Sequence, residues 1–209
     1  MAPTVYSTAE DNETTITTNV VSTFLLALLL LPTLKRNAKT HGITPNLTIV
    51  SSEVHFFTEF PERTSPDIFD TLNNKATANM GDRYNVSKLL EVLVVREWCQ
   101  KHIAQPYPVT VNFMNPGFCH SSLARDMGDS WALWLMKLVL ARTTEIGGRT
   151  LVHSALAAKD THGEYMCNGL IAQTSPLVRS EDGKRAQEKV WKELSQKLEV
   201  IQPGILGNF

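Results

Sequence analysis

The sequence predicts an α/β fold, and three observations predict it. Leu47-Thr48-Ile49-Val50 is a short apolar, β-branched run of the kind that forms a buried strand. Val109-Thr110-Val111-Asn112-Phe113-Met114 alternates as a strand does and breaks at Asn115-Pro116-Gly117. Helical patterns surround both runs, one following Asn19 and one carrying Tyr84 and Lys88.

In chain order, Thr17-Thr18-Asn19 opens an apolar helix that contains Val20 to Leu31 and is expected to end near Pro32 and Lys35-Arg36. No Lys or Arg precedes Lys35, whereas Glu10, Asp11 and Glu13 precede the apolar run, which is the wrong charge pattern for a signal peptide. Twelve apolar residues are also too few to cross a bilayer, so the run reads as a core helix and no membrane span is expected. The first strand ends in Ser51-Ser52, and a hydroxyl at the carboxyl end of a strand sits where ligands bind in open α/β sheets. Residues 53–83, with Phe56, Phe57, Phe60, Pro61 and Pro66, read as a long insertion near that strand end. A helix is expected from Thr143-Thr144-Glu145 to about Lys159, a third strand near 164–172, and an exposed helix from Glu181 to Glu199 with Lys/Glu pairs at helical spacing. There is no internal repeat and no linker, so residues 1–209 are expected to form one domain.

Composition excludes several functions. The 209 residues are 43% hydrophobic, which argues against disorder. The net charge is -1 with no basic cluster, so no nucleic-acid partner is expected. Cys99, Cys119 and Cys167 form no C-x-x-C and are odd in number, which suits a reducing, cytoplasmic setting. The six histidines show no pair at metal-ligand spacing, and no metal is expected.

Tyr84 and Lys88 are the most informative residues. Four-residue spacing brings both side chains onto one helix face. A phenol ordinarily ionises near pH 10, too high for proton transfer at neutrality, and a neighbouring cation favours its ionised form. Alone the pair is a weak signal, because it recurs by chance. Its ordered company is more specific: Asn19, then Ser51-Ser52, then Tyr84-x-x-x-Lys88, then Asn115-Pro116-Gly117 with Ser121, and Gly163-Glu164-Tyr165.

In that order, and over essentially the whole chain, the sequence resembles the short-chain dehydrogenase/reductases, most closely the retinol-dehydrogenase-like and fungal secondary-metabolism branches. The resemblance implies a Rossmann-like doubly wound parallel sheet. It makes Tyr84 the acid-base, Lys88 the group that lowers the tyrosine pKa and holds the nicotinamide ribose, and Ser52, in preference to Ser51, the hydroxyl that polarises the substrate oxygen. Asn19 would hold a water in the proton relay. Pro116, Gly117, the Cys119 backbone and Ser121 match the segment that grips the nicotinamide carboxamide, and residues 118–143, with Met127, Trp131, Trp134 and Met136, fall where relatives carry a substrate-covering lid. In the family the helix after Asn19 and the one carrying Tyr84 often form a four-helix dimer interface.

The departure from the family is equally plain. Members begin with a strand, a T-G-x-x-x-G-x-G turn and a helix whose N-terminus takes the cofactor pyrophosphate. Here the first glycine is Gly42, so the Gly-rich βαβ half and its cofactor-selecting residue are missing and the expected sheet is partial. The resemblance implies an oxidoreductase that interconverts an alcohol and a ketone or aldehyde with NADP or NAD, NADP being favoured, on a hydrophobic small molecule such as a secondary metabolite. The alternative is a non-redox relic or accessory protein, and a further reading is a cofactor-free isomerase or lyase. Because the first strand would lack a neighbour, a homodimer or a complementing chain is expected to cover its edge.

Overall fold

The computed structural model describes residues 4–101, 107–119 and 141–209. A two-residue hairpin, β1 (Thr8–Ala9) and β2 (Asn12–Glu13), leads into the long helix α1 (Thr14–His41). Glu13 starts that helix, its carboxylate accepting from the backbone of Thr15 and Ile16. The turn Thr17–Val21 is π-helical, and Gly42, at φ 63°, ends the helix in the left-handed conformation that glycine adopts without penalty.

The expected stop at Pro32 is corrected: the helix runs on to His41. A proline inside a helix removes the donor to the carbonyl four residues back, here Leu28. That carbonyl accepts instead from Asn208 Nδ2 at 3.1 Å, while Lys35 Nζ donates to the Asn208 carbonyl at 2.8 Å. The longer helix is long and apolar enough to cross a membrane, so the length argument no longer decides; 56% of its apolar window is buried inside the protein, as in a core helix.

The sheet has the order β3-β4-β5-β6: β3 (Asn46–Val50), β4 (Thr110–Asn115), β5 (Tyr165–Cys167) and β6 (Leu170–Ala172). The first three are parallel, and β6 is antiparallel to β5. The single strand expected near 164–172 is therefore a hairpin. Asn168 (φ 54°) and Gly169 (φ 77°) form its turn, the asparagine-glycine pair that most favours a tight connection.

Between β3 and β4 runs α3 (Arg83–Lys101), preceded by 3-10 turns at Glu53–Phe56 and Pro61–Thr64 and the short helix α2 (Ile68–Leu72). After β4 come α4 (Thr144–Ala155), α5 (Pro176–Arg179) and α6 (Glu181–Ile201). Every residue of β4 is buried because the sheet is covered twice. Asn112 Nδ2 and Thr48 Oγ1 reach the Ser154 carbonyl of α4 on one face, and Val111 and Phe113 join the main core with α3 on the other. The outer edge of β3 pairs with no strand among the described residues.

Two further expectations are corrected by packing. The helix expected to be exposed, α6, lies against α3 and buries Ala186, Val190, Leu194 and Leu198, a stripe spaced by four. One of its Lys/Glu pairs, Lys189 and Glu193, is itself engaged with the segment before α3, Glu193 accepting from the Ile68 and Phe69 N–H groups. Residues 53–83 are not an open insertion, since Phe60, Ile68, Phe69 and Leu72 belong to the same core and Asn73 binds the backbone of Glu13. Helix α3 is consequently buried nearly all round.

Candidate active site

The site lies at the carboxyl ends of β3 and β4, where α3 begins. Tyr84 and Lys88 stand one turn apart on α3, with Lys88 Nζ 5.9 Å from the centre of the Tyr84 ring. Ser52, just beyond β3, caps the following 3-10 turn by accepting from the Val54 N–H at 3.3 Å, with its side chain beside the Tyr84 phenol. Asn19, 5% exposed, is held in the π-helical turn and donates through Nδ2 to Ser87 Oγ at 2.9 Å. Ser87 Oγ in turn donates to the Tyr84 carbonyl at 2.8 Å. The sequence-predicted quartet Asn19, Ser52, Tyr84 and Lys88 is thus brought together, with Asn19 reaching it through Ser87.

The electrostatics differ from expectation. The Tyr84 phenol is pushed up to about 12, first by burial and then by the Glu91 carboxylate, against the hydrogen bond from Ser52. The Lys88 ammonium directs its hydrogen bonds elsewhere than to the Tyr84 oxygen. It donates to the Val50 carbonyl at 2.9 Å and to both Glu91 oxygens at 2.8 and 3.1 Å. Burial pushes the Glu91 carboxyl up to about 7, opposed by Lys88 and by a hydrogen bond with Ser51.

Glu91 and His55 are what sequence reasoning missed, and Ser51, set aside there in favour of Ser52, has its own partner. A lone acid in the apolar run Leu89 to Val95, three residues after Lys88 and seven after Tyr84, lies on their helix face and was a legible signal. Ser51 faces Lys88 and Glu91, whereas Ser52 faces Tyr84. His55 is fully buried, with Nδ1 on the Ser52 carbonyl and Nε2 on the Ser175 backbone.

The turn after β4 is built to leave backbone open. Asn115 Oδ1 accepts from the Gly117 N–H at 3.0 Å, and Gly117 takes φ 82°. A Cβ there would come within 3.3 Å of the Arg142 side chain. Pro116, Gly117 and Cys119 are all partly exposed. Ser121 and most of the expected lid lie outside the described residues. A groove of about 1030 Å³ lined by Glu97, Trp191 and Phe209 is elsewhere: Glu97 is thirteen residues along α3 from Tyr84, roughly 20 Å away.

A parallel strand–helix–strand unit with a tyrosine and a lysine one turn apart, facing a strand-end serine, defines a protein of the Rossmann-like α/β class. An uncharacterised protein from Mycobacterium Paratuberculosis has the same fold, with a TM-score of 0.62 at 20% identity over 93% of this chain and 63% of that one. No family model matches the chain. Among curated proteins it is 50% identical to the short chain dehydrogenase/reductase dmxR8 of Cryptosporiopsis sp. over 100% of its length and 65% of the relative's. It is 42% identical to the short-chain dehydrogenase anuD of Penicillium roqueforti (94% of this chain, 54% of that one). It is 34% identical to the short chain dehydrogenase FGM9 of Gibberella zeae (99% and 61%). The chain belongs to the short-chain dehydrogenase/reductase family. It spans between about half and two thirds of the length of these relatives.

Proposed function

We propose that the protein to which this chain belongs is an oxidoreductase interconverting an alcohol and a ketone or aldehyde, and that Tyr84 moves the proton. The observation that carries this reading is the convergence of Tyr84, Ser52 and Lys88 at the carboxyl end of β3. Ser52 and Tyr84 present two hydroxyls to one point, which is where a substrate oxygen would be held, Ser52 polarising it and Tyr84 giving or taking its proton. Lys88 reaches the same strand end from below, and Asn19 fastens α1 to α3 through Ser87.

The residues present fit the nicotinamide end of NADP or NAD, the dinucleotides the resemblance implies. Pro116, Gly117 and Cys119 lie partly exposed at the end of β4, where the resemblance places the grip on the carboxamide. When bound, the reduced dinucleotide supplies a hydride to the substrate carbon. The Gly-rich pyrophosphate turn is not among the residues of this chain, whose first glycine is Gly42. The second reading, an accessory or non-redox role, is separated from the first by the turnover test below. A hydrophobic substrate such as a secondary metabolite rests on the kinship with fungal dehydrogenases.

The test follows NADPH and NADH absorbance with a panel of hydrophobic ketones, aldehydes and alcohols, alongside calorimetric titration of each dinucleotide. Turnover that disappears in Tyr84→Phe supports the oxidoreductase. For this chain by itself dinucleotide binding is expected to be far weaker than in a complete relative. Absence of turnover even after supplying the missing half from a relative as a separate chain would sink the first reading in favour of the second.

A further inference from the structure

Glu91 has no part in the chemistry described so far, yet it is 1% exposed in the middle of α3. A carboxylate in such a place is costly unless it is paired and hydrogen-bonded, and this one is both. Its two oxygens accept from Lys88 Nζ at 2.8 and 3.1 Å. Ser51 Oγ donates to the Lys88 carbonyl at 3.0 Å, tying the strand end to the helix turn that carries the pair.

The partners of Lys88 make the arrangement informative. An ammonium has three N–H donors. Here one N–H goes to the Val50 carbonyl and another is shared between the two oxygens of the single Glu91 carboxylate. The charge is thereby paired with Glu91 rather than with Tyr84. The ammonium that would favour ionisation of Tyr84 is instead neutralised within its own helix turn.

We propose that Glu91 is a positioning residue of this site: it holds the Lys88 ammonium at the end of β3 and, by cancelling its charge, keeps Tyr84 in the phenol form. The role rests on the reading of Tyr84 and Lys88 as the proton-transfer pair. The physical coupling does not, and it can be measured without turnover. The upward displacement of the phenol by burial and by Glu91 is in keeping with it.

The experiment labels the tyrosines with 13C at Cζ and follows their ionisation by NMR to pH 10, with Tyr84→Phe assigning the Tyr84 resonance among the four. In Glu91→Gln, which keeps the shape and removes the charge, the tyrosinate fraction of Tyr84 at pH 10 should rise about ten-fold, the factor that accompanies one pKa unit. Identical titrations in Glu91→Gln and the wild type overturn the inference. If Glu91→Gln loses the wild-type fold, the wild-type chain itself decides. Its Lys88 15Nζ resonance must show a hydrogen-bond coupling to a glutamate carboxyl carbon, and the absence of that coupling overturns the inference as surely. Neither readout uses substrate or dinucleotide, so a failed oxidoreductase reading and a failed Glu91 role give different results.

Discussion

His55 Nδ1 donates to the Ser52 carbonyl at 2.6 Å, and Nε2 of the same ring accepts from the Ser175 N–H at 3.3 Å. The ring is therefore neutral and of one tautomer, a bridge between the Ser52 backbone and the loop before α5. Burial holds its pKa below the ordinary 6.5, against the opposing hydrogen bond to Ser52. Protonation would set a donor against the Ser175 donor.

Stability should accordingly depend on pH through this residue. A histidine with a lowered folded-state pKa takes its proton more readily when unfolded, so its contribution is fully present above pH 6.5 and is lost as the pH falls from there toward the folded value. Thermal unfolding measured at pH 7.5 and 5.5 should show a drop in the wild type that is smaller in His55→Gln. An equal drop in both would remove His55 from the account.

Tyr84→Phe keeps the ring and removes the proton. In an active, complemented form, turnover should fall by at least about a hundredfold, in line with loss of a general acid-base. Near-full turnover would exclude Tyr84 from that role.

Gly183 marks a place where the backbone leaves no room. A Cβ there would lie 2.0 Å from the Leu177 carbonyl oxygen, an atom of the backbone rather than of a flexible side chain. Gly183→Ala should cost about 3 kcal/mol of stability, the upper end of ordinary overpacking, by forcing α5 and α6 apart. Denaturant titration reads the loss directly.

Cys99 should be chemically silent. Burial pushes its thiol up to about 12, so almost none is thiolate at neutral pH. In the folded chain a thiol reagent should label Cys119 and Cys167, which are partly exposed, and reach Cys99 only on unfolding. Rapid native labelling of Cys99 would contradict its placement under the β4 backbone.

The parts of this fold that could be read from the sequence were those written in local pattern. Leu47 to Val50 and Val109 to Met114 announced strands because apolar periodicity needs no partner to be visible. The pairing of Tyr84 with Lys88 was visible for the same reason, since both lie on one helix. What was hidden depended on residues distant in sequence. Helix α1 passes Pro32 because Asn208 supplies what the proline withholds. The charged residues of α6 masked its buried stripe, which becomes evident only against α3. The Asn168-Gly169 turn was legible and overlooked; Glu91 was legible too, but its effect on Tyr84 needed the distances at Lys88.

The repair of α1 by Asn208 also imposes an order in time. During synthesis the helix precedes by 180 positions the residue that fills the gap at Leu28. Until that residue has left the ribosome, α1 carries an exposed carbonyl on a leucine-rich surface, and Leu26, Leu29 and Leu30 remain outward-facing even afterwards. The nascent chain therefore has a long interval in which this helix is a natural target for chaperones, and its last turn to settle is in its middle rather than at either end.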